Sequence, residues 1–161
     1  MQKNDNFTII IDTREQQPWN FKNYELTSAK LDTGDYSIEG LQDFVTIERK
    51  KSVNEFANNI TEKRFKDWID RLSKIEFAFI LLEFSINDVL KYPAGSGIPQ
   101  KMWSRIKISP NYIIKNILEI SMIYKIPVLF CDNHSNAEHM AEQILKRAYY
   151  TDKKRRKADE T

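Results

Sequence analysis

Glu48, Arg49 and Lys50 close the apolar run Phe44 to Ile47, and a Gly-Asp turn, Gly34-Asp35, stands a hairpin's length before them. Side chains alternate along a strand, so Glu48 and Lys50 share one face while Arg49 takes the other. If Asp35 begins the first arm of the hairpin, then Asp35, Glu48 and Lys50 converge at one end of a sheet. That grouping suits metal-dependent phosphodiester hydrolysis. Mg²⁺ is usually held by one or two carboxylates, with water and substrate phosphate in its remaining positions. The bound water loses a proton more easily and the metal offsets charge in the transition state. Lys50 would then orient or stabilise the attacking hydroxide, and Arg49 could clamp a phosphate elsewhere.

Taken alone, Glu-x-Lys at a strand end reads more readily as edge protection. It does not stand alone, because the run Phe7 to Ile11 ends in "IDTRE". Adjacent strands would bring Asp12, Arg14 and Glu15 to the same rim. A rim with three or four carboxylates calls for a cation, since like charges within a few Å raise each other's pKa.

The elements that must position these residues are legible from periodicity. Phe7 to Ile11, Tyr36 to Ile38 and Phe44 to Ile47 read as strands, the last two flanking "EGLQD" as a hairpin. From Ser52 the spacing turns helical: Val53, Phe56, Ala57 and Ile60 follow a possible capping box, Ser52 with Glu55. Phe65, Trp68, Ile69, Leu72 and Ile75 form a second amphipathic helix. "FAFILLEF", Phe77 to Phe84, predicts a central strand covered on both faces. Lys91 to Pro110 is expected as a long ordered loop, followed by a helix over 111–124, the strand "PVLF" and a helix over 136–150. The order implies an α/β domain of three layers, a central mixed sheet flanked by helices.

Whole-chain numbers narrow the setting. The 161 residues suffice for one domain, expected over residues 1–150, with 151–161 as a basic, disordered tail. The net charge of +2 is matched by that tail, which carries five positive and three negative charges. The body is therefore neutral, and nucleic-acid affinity must come from local patches. Cys131 is the single cysteine, and no apolar run approaches the length of a membrane span. The expectation is a cytoplasmic protein with no membrane association and no nucleotide cofactor. His134 and His139 are expected as surface residues.

"IIIDTRE", "TGDYSI" and "TIERK", in this order, resemble the V-D-x-R-E, G-D-Y and E-R-K motifs of the XPF-type structure-specific endonuclease domain. That domain is a branch of the PD-(D/E)xK restriction-endonuclease-like superfamily. The resemblance runs from Phe7 to the last helix and implies a DNA endonuclease dependent on Mg²⁺ or Mn²⁺. Carried over by position, it implies Asp12, Asp35 and Glu48 as metal-facing carboxylates and Lys50 as the catalytic lysine. Arg14, Glu15 and Arg49 are implied as supporting residues. The family also carries an arginine on the helical segment after E-R-K, matched here by Arg64 with Lys63 and Lys66 beside it, and an apolar strand ending in Glu-Phe, which places Glu83 near the site. Where many members read E-R-K-x-x-x-D, this chain has Asn54, with Glu55 one residue later. The chain resembles the compact stand-alone versions of phages and bacteria, without a helix-hairpin-helix module. Members are commonly dimeric, which implies a homodimer.

Substrate contacts are expected from the long loop. Lys101, Arg105 and Lys107 surround Trp103 there, a mixture suited to phosphates and exposed bases; equally, Trp103 could fold the loop onto the core. The implied partner is DNA, cut at branched or flap-like structures in repair, recombination or phage DNA processing. Two other readings remain: a catalytically weak scaffold subunit of the same fold, and a nuclease acting on RNA.

Overall fold

A computed structural model describes residues 6–161. Six strands, β1 (Thr8–Asp12), β2 (Glu25–Ala29), β3 (Tyr36–Ile38), β4 (Val45–Lys50), β5 (Phe77–Leu82) and β6 (Val128–Phe130), form one mixed sheet in the order β2-β1-β3-β4-β5-β6. β3 is antiparallel to both β1 and β4, whereas the β1–β2, β4–β5 and β5–β6 pairs are parallel. Helices α1 (Val53–Asn59), α2 (Phe65–Ser73), α3 (Ile86–Leu90), α4 (Pro110–Ile123) and α5 (His134–Asp159) cover it.

The alternation of β5 shows why the sheet needs both layers. Ile80 and Leu82 enter one core with Val53, Phe56 and Leu72 of α1 and α2 and Ile113 and Ile117 of α4. Leu81, between them, enters the other with Trp19, Phe21, Tyr36 and the α5 residues Ala137, Ala141 and Leu145. The expected three-layer α/β architecture is thus the one observed. β4 lies between β3 and β5, so all six of its residues are buried, including Glu48, Arg49 and Lys50. These charges end a central strand inside the molecule, not an exposed edge.

Four features depart from the periodicity reading. Glu25–Ala29 is an edge strand whose mostly polar, exposed residues lack an apolar run. Ile86–Leu90 is a short helix closed by a capping box between Ser85 and Asp88. The loop contains a 3₁₀ turn, Gln100–Arg105. Residues 151–159, expected as a disordered tail, continue α5, held by Arg156 to Asp152 at 2.9 Å and by Arg155 to Glu76. At α1, Ser52 caps as expected, accepting from the Glu55 amide, but the Glu55 carboxylate takes the Lys51 amide instead of that of Ser52. No described helix is long and apolar enough to cross a membrane.

Candidate active site

The β3–β4 pairing brings the acidic residues together. Tyr36 pairs with Ile47, and one residue beyond that pair the two chains carry Asp35 and Glu48. The Asp35 amide donates to the Ile47 carbonyl at 2.8 Å and its carboxylate accepts the Arg49 amide at 2.8 Å. Gly34 makes this approach possible: its φ is +83°, and a Cβ there would sit 1.9 Å from Thr46 Oγ1. Lys50 Nζ lies 3.2 Å from Glu48 Oε1 and 4.6 Å from the centre of the Trp68 ring. Strand alternation thus joins Glu48 and Lys50 on one face.

The two carboxylates are electrostatically uncomfortable. Burial, and then the neighbouring Glu48 charge, push the Asp35 carboxyl well above its ordinary pKa. Burial also raises Glu48, against the opposing pull of the Lys50 ammonium. Both gain from a cation placed between them. Among the described residues no group of three or more His, Cys, Asp or Glu side chains is arranged to hold a metal ion. Mg²⁺ is usually held by one or two carboxylates, with water and phosphate completing its shell.

Asp12 reaches the same sheet end, where its amide donates to the Asp35 carbonyl at 2.8 Å. Its side chain is already engaged: Oδ2 accepts Arg14 Nε at 2.8 Å and Oδ1 accepts the Leu31 amide at 2.8 Å. Burial would raise the Asp12 pKa, but these bonds outweigh it and hold the carboxyl below its ordinary value. Arg14 also donates to the Leu31 carbonyl at 3.0 Å while two thirds of its side chain stays exposed.

On the opposite face, Arg49 is enclosed. It donates through Nε to Glu83 Oε1 at 2.6 Å and through Nη1 to Glu15 Oε2 at 3.0 Å and the Gln17 carbonyl at 2.9 Å. Trp19 Nε1 donates to Glu83 and the Tyr36 hydroxyl to Glu15. The guanidinium also lies 5.0 Å from the Trp19 ring. Burial works against the Arg49 charge, and the two carboxylates overcome it, raising its pKa. His134 is exposed, as expected, and its Nδ1 lies 2.9 Å from Arg49 Nη2 and 3.4 Å from Glu83 Oε1, so it also caps the network. Glu15 and Arg49 are therefore close to the β4 face that bears Glu48 without sharing it.

Above Glu48 and Lys50 opens a cleft of about 260 Å³, lined also by Arg14, Arg64, Arg71, Glu62, Phe65 and Trp68. Arg64 arrives there as expected, paired with Glu62 at 2.8 Å. Arg71 and Trp68 were legible only as members of an amphipathic helix, yet both line the cleft. Lys63 and Lys66 are exposed beside Arg64 and do not line it. Nor do the loop residues. Lys101, Arg105 and Lys107 are exposed, while Trp103 is half-buried, its Nε1 donating to the Ile98 carbonyl at 2.9 Å.

With this geometry in place, the comparisons with known proteins are informative. The pattern of the ERCC4 domain matches residues 11–144. The 3'-flap repair endonuclease Xpf of Saccharolobus solfataricus is 44% identical over 64 residues, covering 39% of this chain and 26% of that protein. Among solved structures, XPF from Aeropyrum pernix has a TM-score of 0.65 at 18% identity, covering 88% of this chain and 65% of that one. XPF from the same organism in complex with DNA gives a TM-score of 0.65 at 17% identity, over 90% and 66%. The chain thus spans about a quarter of the curated relative and about two thirds of the solved chains. The structural likeness establishes the fold, and the matched segment, far more than half the sequence, carries the further conclusion that this chain belongs to the ERCC4 domain family.

Proposed function

We propose that this protein is a divalent-metal-dependent DNA endonuclease acting at branched or flap-like DNA. The observation that carries the reading is Glu48 and Lys50, buried at the floor of a cleft walled by Arg14, Arg64 and Arg71, with the half-buried Asp35 carboxyl beside Glu48 across the β3–β4 pairing. The flap endonuclease and the DNA complex among its relatives support DNA as the substrate.

Asp35 and Glu48 would hold Mg²⁺ or Mn²⁺, which when bound supplies an acidified water and charge compensation at the phosphate. Lys50 stands on Glu48 and places its ammonium at the cleft floor, where it orients the attacking oxygen or steadies the charge that develops on the phosphate. Trp68 supports that ammonium from the other side. Arg14, fixed by Asp12, Arg64 and Arg71 orient the phosphodiester from the walls. Asp12 contributes as the residue that positions Arg14. Arg49, with Glu15, stiffens β4 from behind.

The test is direct. Asp35→Asn and Glu48→Gln each abolish cleavage while preserving the fold, and each removes the rise in melting temperature that Mg²⁺ or Mn²⁺ gives the wild type. Lys50→Ala abolishes cleavage but keeps that metal-induced rise. A panel of single-stranded, duplex, flap and four-way DNA, with RNA counterparts and EDTA, defines the substrate. Cleavage at wild-type rates by Asp35→Asn and Glu48→Gln would overturn the assignment.

Two further parts belong to this reading. Lys63, Lys66 and the loop cations Lys101, Arg105 and Lys107, with Trp103, lie outside the cleft and would add contacts to DNA flanking the cut. Leu118, Met122 and Ile123 of α4 and Met140 of α5 leave apolar area exposed, which a second copy would cover in a homodimer. Light scattering is expected to give twice the chain mass, and a monomer mass across concentrations would remove the dimer.

A further inference from the structure

The active-site cleft does not end at Arg71. That residue also lines a second, larger depression of about 580 Å³, bounded by Lys30, Leu31, Asp32 and Thr33 on one side, by Gln42 and Asp43, and by Arg71, Lys74 and Ile75 on the other. The wall opposite α2 is tied to the site itself. Leu31 is pinned by its amide to Asp12 and by its carbonyl to Arg14, and the Thr33 carbonyl accepts Thr46 Oγ1 at 3.0 Å. Cleft and groove thus share Arg71 on one wall, and hydrogen bonds join their other walls.

The ion pairing differs between the two depressions. In the cleft, Arg14, Lys50 and Arg64 are each paired with a carboxylate. In the groove, Lys30, Arg71 and Lys74 have no such partner among the described residues, although Asp32 and Asp43 share the lining. The three cations are thus left available to an external anion. Arg64, Trp68, Arg71 and Lys74 follow one another at helical spacing along a single side of α2 and its ends. From Arg64 to Lys74 this side spans about 15 Å, at 1.5 Å per residue. At 3.4 Å per nucleotide, it matches about four nucleotides of one strand.

We propose that this groove is the track for the DNA strand flanking the scissile phosphate on one side, with Lys30 and Lys74 contacting its phosphates and Arg71 bridging track and cleft. Asp32 and Asp43 restrain its affinity, keeping the groove at one net positive charge. The proposal rests on the DNA-cleaving reading above and adds a one-sided extension of the substrate contact.

Fluorescence anisotropy with catalytically blocked protein (Glu48→Gln) tests it, using flap DNA whose arms are lengthened one at a time. Lengthening one arm by about four nucleotides should raise affinity, and lengthening the other should not. Lys30→Ala with Lys74→Ala should remove that gain and flatten the salt dependence of log K by about 1.8, at 0.9 per phosphate contact. It should leave cleavage of the shortest substrate unchanged when made in the active protein. Asp32→Asn with Asp43→Asn should act oppositely, strengthening binding only to DNA with the longer arm, so a folding defect in the lysine variant cannot imitate the full result. Circular dichroism checks the fold of each variant. If both pairs of variants show the wild-type arm dependence and salt slope, the track is wrong while the nuclease reading stands. If the wild type binds no DNA at all, both fall.

Discussion

Strand β4 delivers charge to both faces of the sheet, and the two faces treat it differently. Arg49, on one, meets two carboxylates, a hydroxyl, a backbone carbonyl and an imidazole, and its side chain is 2% exposed. Glu48 and Lys50, on the other, meet chiefly each other, with Asp35 adding a second carboxyl group nearby and a cleft opening above Glu48 and Lys50. Buried charges are tolerated when paired and hydrogen-bonded. The Arg49 face meets that condition internally, whereas the Glu48 face meets it only in part. Adjacent buried residues of the same strand thus divide into a clamp and a face that opens to the cleft.

That comparison can be broken from either side. The largest effect is expected at the clamp. Glu83→Ala leaves Arg49 and Trp19 Nε1 short of a buried partner and should cost about 3–5 kcal/mol of stability, measured by urea unfolding, while the protein that remains folded still takes up metal. A loss within 0.5 kcal/mol, the scale of an ordinary surface substitution, would show that the network is not what holds this face together. A smaller effect is expected at the cleft. Trp68→Leu removes the ring beside the Lys50 ammonium, a contact worth about 0.5–2 kcal/mol. It should lower kcat about 2- to 30-fold, since 1.4 kcal/mol is tenfold, with little change in KM. Trp68→Tyr, which keeps a ring, should restore most of the rate. Equal kcat values for the leucine and tyrosine variants would reduce Trp68 to a packing residue.

The legible part of the molecule was the part governed by period. Alternation placed Glu48 and Lys50 together and Arg49 opposite, and the run Phe77 to Phe84 marked a strand with two covered faces. Elements without apolar spacing were missed. The polar edge strand Glu25–Ala29 draws its order from β1, and Ile86–Leu90 buries only Val89. The terminal segment differs for a related reason: its charges suggest a solvated tail, whereas in the structure it continues α5, with Arg156 paired to Asp152 one turn away and Arg155 reaching Glu76. In the site, the resemblance supplied Asp12, Asp35 and Glu48 as a set without distinguishing them. Only coordinates reveal that both Asp12 oxygens already accept donors. Trp19 and His134 joined the Arg49 network from distant positions in the chain, and no local pattern marked them. Trp68 reads only as part of the helix's apolar stripe and Arg71 carries no signal, because periodicity cannot tell a core-facing position from a cleft-facing one.

The separation along the chain between interacting residues gives the two faces of β4 different histories. Asp35 reaches the Arg49 amide across 14 positions, and Lys50 stands two residues from Glu48. Arg49 meets Glu83 across 34 positions and His134 across 85, while Trp19 meets Glu83 across 64. Closing a short loop costs less entropy than closing a long one, and nearby contacts form sooner. The β3–β4 hairpin can therefore bring its two carboxylates together while β5 and α5 are still being docked, at a stage when water screens their repulsion. The clamp exists only once the rest of the chain has arrived. In order of assembly, the two carboxylates come first and the rigidity behind them comes last.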